Sequence, residues 1–127
     1  MNQYTQRQVF SSSGVGLITA PGKADLDYVH GGEKMERLWH EATRLGYSLQ
    51  PMMAIPVFLL NLDLGNLSCF DSAKQSQIRR LRERFFSLLR IPESDTPLFL
   101  FRLGKAKDPK TRSLRRPLDS FILKEMA

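Results

Sequence analysis

Apolar positions along the chain change period several times, and each change marks an element. Gly14-Val15-Gly16-Leu17-Ile18-Thr19-Ala20 is short and continuously apolar, and it stops at Pro21-Gly22. That predicts a buried strand followed by a turn. From about Gly32 to Leu45 the apolar residues Met35, Leu38, Ala42 and Leu45 recur at steps of three and four, with charges on the other sides. This is the signature of an amphipathic helix. Gly46 stands where a helix ends in the left-handed conformation. Ser48-Leu49-Gln50 fits a brief strand. Pro56 followed by Val-Phe-Leu-Leu fits a short helix with proline in its first turn. Asp63 to Phe70, with Gly65, Asn61 and Asn66 as turn residues, reads as a loop. Asp71 or Ser72 caps a further helix to about Arg90, with Ile78, Leu81, Phe85, Leu88 and Leu89 as its buried face. Pro97 to Gly104, PLFLFRLG, reads as a central strand covered on both faces. Residues 1–12 read as a lead-in, and residues 13–127 as one α+β domain: a small sheet flanked by helices.

A chain of 127 residues with 42% hydrophobic and 25% charged content is long enough for one modest core and too apolar for disorder. A single cysteine, Cys69, excludes an internal disulfide framework and suits a reducing, cytoplasmic setting. Two histidines, His30 and His40, with no cysteine pair do not make a structural zinc site. No signal peptide is expected, because the opening MNQYTQRQVFSSS has no apolar core. The longest apolar run, Ile55 to Leu60, is far short of the roughly 20 residues of a membrane span.

The net charge of +6 is unevenly placed. Residues 1–70 carry five basic and six acidic side chains, residues 71–127 fourteen and seven. Two readings follow: a solvated basic face, or a site for a phosphate or nucleic acid. The aromatics of the basic helix lie on its apolar stripe, so it lacks the exposed rings that stack single-stranded bases, which disfavours nucleic acid. Neither Gly14-x-Gly16 nor Gly31-Gly32 has the surroundings of a dinucleotide or P-loop motif. The first pair suits close approach of a neighbouring strand. The second, taken as the opening of a helix, leaves N–H groups for an anion. No Ser-His-Asp order, Cys-His pair or carboxylate pair suggests acid–base or nucleophilic catalysis.

The ordered set GVGLITA, GGEKMERLWHEATRLGYSLQPMMAIP, PLFLFRLGKA and RSLRRPLDSF resembles the C-terminal half of the nitroreductase family of FMN-dependent oxidoreductases. The likeness spans roughly residues 13–124. It is nearest to a divergent branch with R-L-W-x-x-A-T-x-L-G and L-Q-P-M, some of it fused to adenylation-type domains. The resemblance implies a nitroreductase-like fold and hydride transfer from NAD(P)H through FMN to a small-molecule acceptor, often at a homodimer interface. Pro51 and Met52 would pack on the flavin ring, and the amides of Met53 and Ala54 would face its N5 and O4 edge. Soft apolar side chains and free amides are what such a ring edge needs. Arg115, with Arg116 beside it, would grip the FMN phosphate.

Family members also carry an N-terminal helix with an Arg-x-Ser-x-Arg-like motif, and nothing here matches it. The expectation is therefore half a cofactor cradle, completed by a second polypeptide or a homo-oligomer. The rival is a non-catalytic interaction module that pairs with another chain and binds no flavin by itself.

Overall fold

The computed structural model describes residues 3–68, 70–107 and 116–117. The elements run α1 (Gln3–Phe10), β1 (Gly14–Ala20), α2 (Asp25–Arg44), β2 (Ser48–Pro51), α3 (Ala54–Asp63), α4 (Ser72–Leu89) and β3 (Thr96–Gly104). The fold is α+β, as expected. The last strand, β3, lies in the middle of a three-stranded antiparallel sheet ordered β1-β3-β2.

β3 is central because it is the longest strand and carries a continuous apolar run, Pro97 to Phe101, that needs partners on both edges and cover on both faces. Gly16 pairs with Phe101 and Ile18 with Phe99, while Gln50 pairs with Arg102 and Leu49 with Leu103. The β1 register slips at one point: Thr19 pairs with Pro97, so Leu98 is an extra residue in β3. Such a bulge suits a proline, which has no N–H to give the ladder. The start of β3 is fastened by side chains. Thr96, 5% exposed, donates its hydroxyl to the Gly22 carbonyl at 2.7 Å, and Thr19 donates to Asp95 Oδ2 at 3.1 Å.

One face of the sheet packs on α2. Gly31, Met35, Leu38 and Ala42 form its inward stripe, at steps of four, three and four. Trp39 lies beside that stripe with its ring 6.5 Å from Phe99, which stacks at 5.7 Å on Phe101. Two corrections to the sequence expectation arise here. First, α2 begins at Asp25, seven residues before Gly32. Asp27 returns its carboxylate to the Ala24 N–H at 3.0 Å and so fastens that earlier start. Gly31-Gly32 therefore lies inside the helix and offers no free N–H groups to an anion. Gly31 is there for space, since a Cβ on it would fall 2.2 Å from Leu98 Cδ1. Second, Leu45, expected on the buried stripe, is 55% exposed. The reading of Gly46 holds, and that of Gly14-x-Gly16 holds at Gly16 alone, since a Cβ on Gly14 would meet nothing within 4 Å. A Cβ on Gly16 would sit 2.3 Å from Phe101 Cζ, and Gly46 adopts φ +74°. Around Gly46, the Tyr47 N–H bonds the Ala42 carbonyl and the Gly46 N–H that of Thr43, closing α2 in a Schellman motif.

Residues 3–10, expected as a lead-in, form α1. Arg102 holds it to the sheet: its guanidinium donates to the Gln8 carbonyl and, at 3.4 Å, to Ser11 Oγ, while Nε donates to Gln50 Oε1 at 2.7 Å.

The third correction concerns α4. Asp71 caps it as expected, accepting from the Lys74 N–H at 2.8 Å. The expected buried face, however, is covered only in part, with Ile78 and Phe85 half-buried. Leu81 is 54% exposed, Leu88 79% and Leu89 41%, whereas Phe86 is buried. Arg82 lies over the Phe86 ring at 4.2 Å and pairs with Glu93 at 2.9 Å, and its Nε stands 3.8 Å from Asp63. The inward face of α4 is thus set by Gln75, Arg82 and Phe86, with Gln75 donating to the carbonyls of Leu67 and Phe70.

Candidate functional site

The stretch from Gln50 to Pro56 is a strand end joined directly to a helix start. β2 finishes at Pro51, and the Met52 N–H extends the ladder by donating to the Leu100 carbonyl at 2.8 Å. That bond fixes the backbone at the sheet edge. Met53 then turns into the αR region, with φ −77° and ψ −8°, and serves as the N-cap of α3. No side chain caps this helix. Its first turn closes when the Val57 N–H donates to the Met53 carbonyl at 3.0 Å. The N–H groups of Met53, Ala54 and Ile55 therefore have no partner within α3, and Pro56 brings none. Pro56 is buried and anchors the turn.

Of the residues expected along the flavin ring, Pro51 and Ala54 are exposed, while Met52 and Met53 are half-buried. The amide of Met52 is used by the sheet, whereas those of Met53 and Ala54 open the helix. The wall so formed is uncharged and has positive backbone dipole at its rim. Arg115 lies outside the described residues. Arg116 is described and is exposed. Cys69 also lies outside the described residues.

A second concave feature was missed by sequence reading. Ser11, Ser12, Ser48, Gln50 and Arg102 border a shallow cleft of about 240 Å³ at the end of the sheet. An arginine inside an apolar strand is the signal that points to it. Its Nε and one terminal nitrogen already serve Gln50, Gln8 and Ser11, so Arg102 acts as a tie between α1 and β3.

A third feature is a long apolar groove between α3 and α4, about 1140 Å³ in volume. Ile55 and Phe58 form one wall, and Ile78, Leu81, Phe85 and Leu88 the other. Phe70 stands edge-on to Phe58 at 5.9 Å and lines it too.

Arg44 donates through Nε to Glu41 Oε2 at 2.9 Å and through its terminal nitrogen to Oε1. This hydrogen-bonded pair holds the Glu41 carboxyl below the usual range and raises the Arg44 guanidinium further. Among the described residues there is no group of three or more His, Cys, Asp or Glu side chains placed to hold a metal. No helix among them is long and apolar enough to cross a membrane.

The chain is 29% identical over 112 residues to a Mycobacterium tuberculosis (strain CDC 1551 / Oshkosh) protein named Uncharacterized protein MT1398. The alignment takes in 88% of this chain and 15% of that protein, so the chain spans a small part of the relative's length. Neither a known protein family nor a solved structure matches the chain.

Proposed function

We propose that this chain supplies one wall of an FMN site of the nitroreductase kind, completed by a second polypeptide segment. Reduced nicotinamide would be the hydride source and a small molecule the acceptor. The observation that carries this reading is the uncapped start of α3. Among the described residues the N–H groups of Met53 and Ala54 have no hydrogen-bond partner, and they follow directly on a ladder-fixed strand end, beside two half-buried methionines and an exposed proline. An isoalloxazine ring needs a flat, soft, uncharged surface with amide donors at one edge, and this segment combines them. When bound, FMN would supply the electron-carrying chemistry. The chain's part is to orient the ring edge and, through Arg115 and Arg116, to neutralise the phosphate. The relative that carries the matching segment as 15% of its length supports a domain that works beside further polypeptide.

The test is an FMN titration followed by flavin fluorescence, with circular dichroism to check folding. Met53→Leu keeps the amide and the volume, and is expected to bind within about twofold of the parent. Ala54→Pro removes one donor and restricts the backbone of Met53. It is expected to weaken binding and to shift the flavin potential. Arg115→Ala should cost about 1.5–3 kcal/mol, the scale of a hydrogen bond to a charged group, and more for FMN than for riboflavin. A folded Ala54→Pro chain with unchanged affinity and potential would overturn the reading. The alternative, a non-catalytic interaction module, draws on the open groove between α3 and α4 and would then be favoured.

A further inference from the structure

We infer that β1 is a pairing edge: two copies of this chain join through it, antiparallel about Leu17, into one continuous sheet. The inference is independent of the flavin reading, because the strand order puts β2 and the Met53–Ala54 amides at the opposite edge.

A strand at the side of a sheet keeps one row of N–H and C=O groups turned away from its neighbour. β1 has β3 on one side and no strand on the other. Among the described residues the backbone of Gly14–Ala20 bonds to no other backbone outside that ladder. Helix α1 is tied on the far side, where Arg102 joins Gln8 to Gln50 of β2.

Nothing blunts this edge. Exposed edges are ordinarily guarded by a charge, a proline or short length. β1 runs for seven residues, GVGLITA, with neither charge nor proline. Val15, a β-branched residue suited to a sheet, is 47% exposed on it. The other side of the sheet is guarded. β2 has four residues and ends in Pro51, and α3 begins at Ala54. The sheet therefore has one open side and one closed side.

Edge chemistry selects an extended backbone, since a row of alternating donors and acceptors is met by another strand. Symmetry selects whose. Joining β1 of one copy to β2 of the next would repeat without closing, and β2 is the guarded side. Joining β1 to β1 is isologous and closes at two. For the two sheets to share their faces, even-numbered residues must oppose even and odd oppose odd, so the two-fold axis passes through a residue. Placed at Leu17, the centre of the strand, it matches the whole strand. Leu17 then meets Leu17, Val15 meets Thr19, Gly16 meets Ile18 and Gly14 meets Ala20. Gly16, kept small by Phe101, faces the largest residue of its own side of the strand. Apolar and β-branched pairs of this kind are the unit of sheet stabilisation, and no like charges come together. The net charge does not oppose the union either. The excess of +6 comes from residues 71–127, whereas residues 1–70 carry five basic and six acidic side chains.

The experiment follows association of the full chain. Sedimentation velocity from low to high micromolar concentration is expected to show monomer passing to dimer and nothing larger. Val15→Lys puts a charge on the edge at an exposed position, so circular dichroism should be unchanged while the dissociation constant rises by about tenfold or more. Cysteines read the register in a Cys69→Ser background. Val15→Cys mixed with Thr19→Cys should form an intermolecular disulfide, because opposed residues lie within the roughly 4.4–6.8 Å that a disulfide spans. Val15→Cys alone should not, since its own copy stands four residues away, or about 13 Å along the strand. Leu17→Cys should cross-link with itself. A monomer at every concentration, a dimer indifferent to Val15→Lys, a series of larger species, or a Val15→Cys homodimer in place of the mixed pair would each overturn the proposal. So would a chain that stays monomeric yet protects its β1 amides from exchange when a synthetic strand of alternating valine and threonine is added, which would give the edge to a foreign segment.

Discussion

Gly16→Ala is expected to destabilise the fold, although alanine is ordinarily the better residue in a strand. A methyl on Gly16 would lie 2.3 Å from Phe101 Cζ, 2.8 Å from Cε2 and 2.9 Å from Cε1. Carbon atoms rest at about 3.5–4.0 Å, so the ring must withdraw by more than 1 Å. It has little room to do so. Phe101 is 6% exposed and stacks on Phe99, which in turn meets Trp39. Overpacking of this kind costs about 1–3 kcal/mol. Loss of glycine's freedom in the unfolded chain returns about 0.4–1 kcal/mol. The net effect should be a loss of about 1–2 kcal/mol. Gly14, in the same strand, is the internal control, since a Cβ there meets nothing within 4 Å. Gly14→Ala should be neutral or slightly stabilising. Urea unfolding followed by Trp39 fluorescence reads both. With a slope of about 1–3 kcal/mol per molar urea, the Gly16→Ala midpoint should fall by roughly 0.5–1 M. Adding Phe101→Leu should relieve the clash, so the double variant loses less than the two single losses together, by about 0.5 kcal/mol or more. Equal midpoints for Gly14→Ala and Gly16→Ala would refute the contact.

Thr96→Val removes a buried hydroxyl and leaves the Gly22 carbonyl without its 2.7 Å donor, so unfolding should show a loss of about 1–3 kcal/mol, while Thr96→Ser retains most of it. The Glu41 carboxyl should titrate below free glutamate in an NMR titration, and Arg44→Gln should return it to the ordinary range. Because its folded pKa is depressed, the pair's small contribution is present above the unfolded pKa and is lost as pH falls through the folded one; a Glu41 titration unchanged by Arg44→Gln would assign the depression to another cause.

Elements whose signals are local were legible in the sequence. β1, β2 and β3, the Pro56 helix, the Asp71 cap and the Gly46 stop all depend on residues within a turn of one another. What failed to show were choices settled by distant contacts. Gly31-Gly32 looks like a helix opening by composition, yet Gly31 lies mid-helix because Leu98, sixty-odd residues on, needs the space. Helix α4 carries apolar residues on two sides, and periodicity alone favoured the richer one. The poorer side won because Phe86 is buried there and Arg82 reaches Asp63 and Glu93. Residues of α1 have no apolar stripe to announce them, and the tie that docks them comes from Arg102, far along the chain. At the candidate site, the segment from Pro51 to Ala54 was visible as an uncharged, proline-bracketed stretch. Which amides the sheet would consume was not, because the Met52 bond to Leu100 depends on the register of β2 against β3.

The strand order has a consequence for how the chain comes together. β2 and β3 pair, but α3 and α4 lie between them in the chain, so the sheet contains no tight hairpin that can form early. β1 and β2 must both wait for β3, and α2, α3 and α4 are complete before it appears. At roughly 5–20 residues per second of synthesis, the interval between β1 and β3 is on the order of several seconds. During it the two outer strands have no template, and the helices wait on a floor not yet laid. Pairing across so long a stretch of chain is intrinsically slow. Yet the apolar run Pro97 to Phe101 is made after every other described helix and strand. It emerges when both of its edge partners and the helix that covers one face already exist. The exposure of that run is thereby limited to its own docking time.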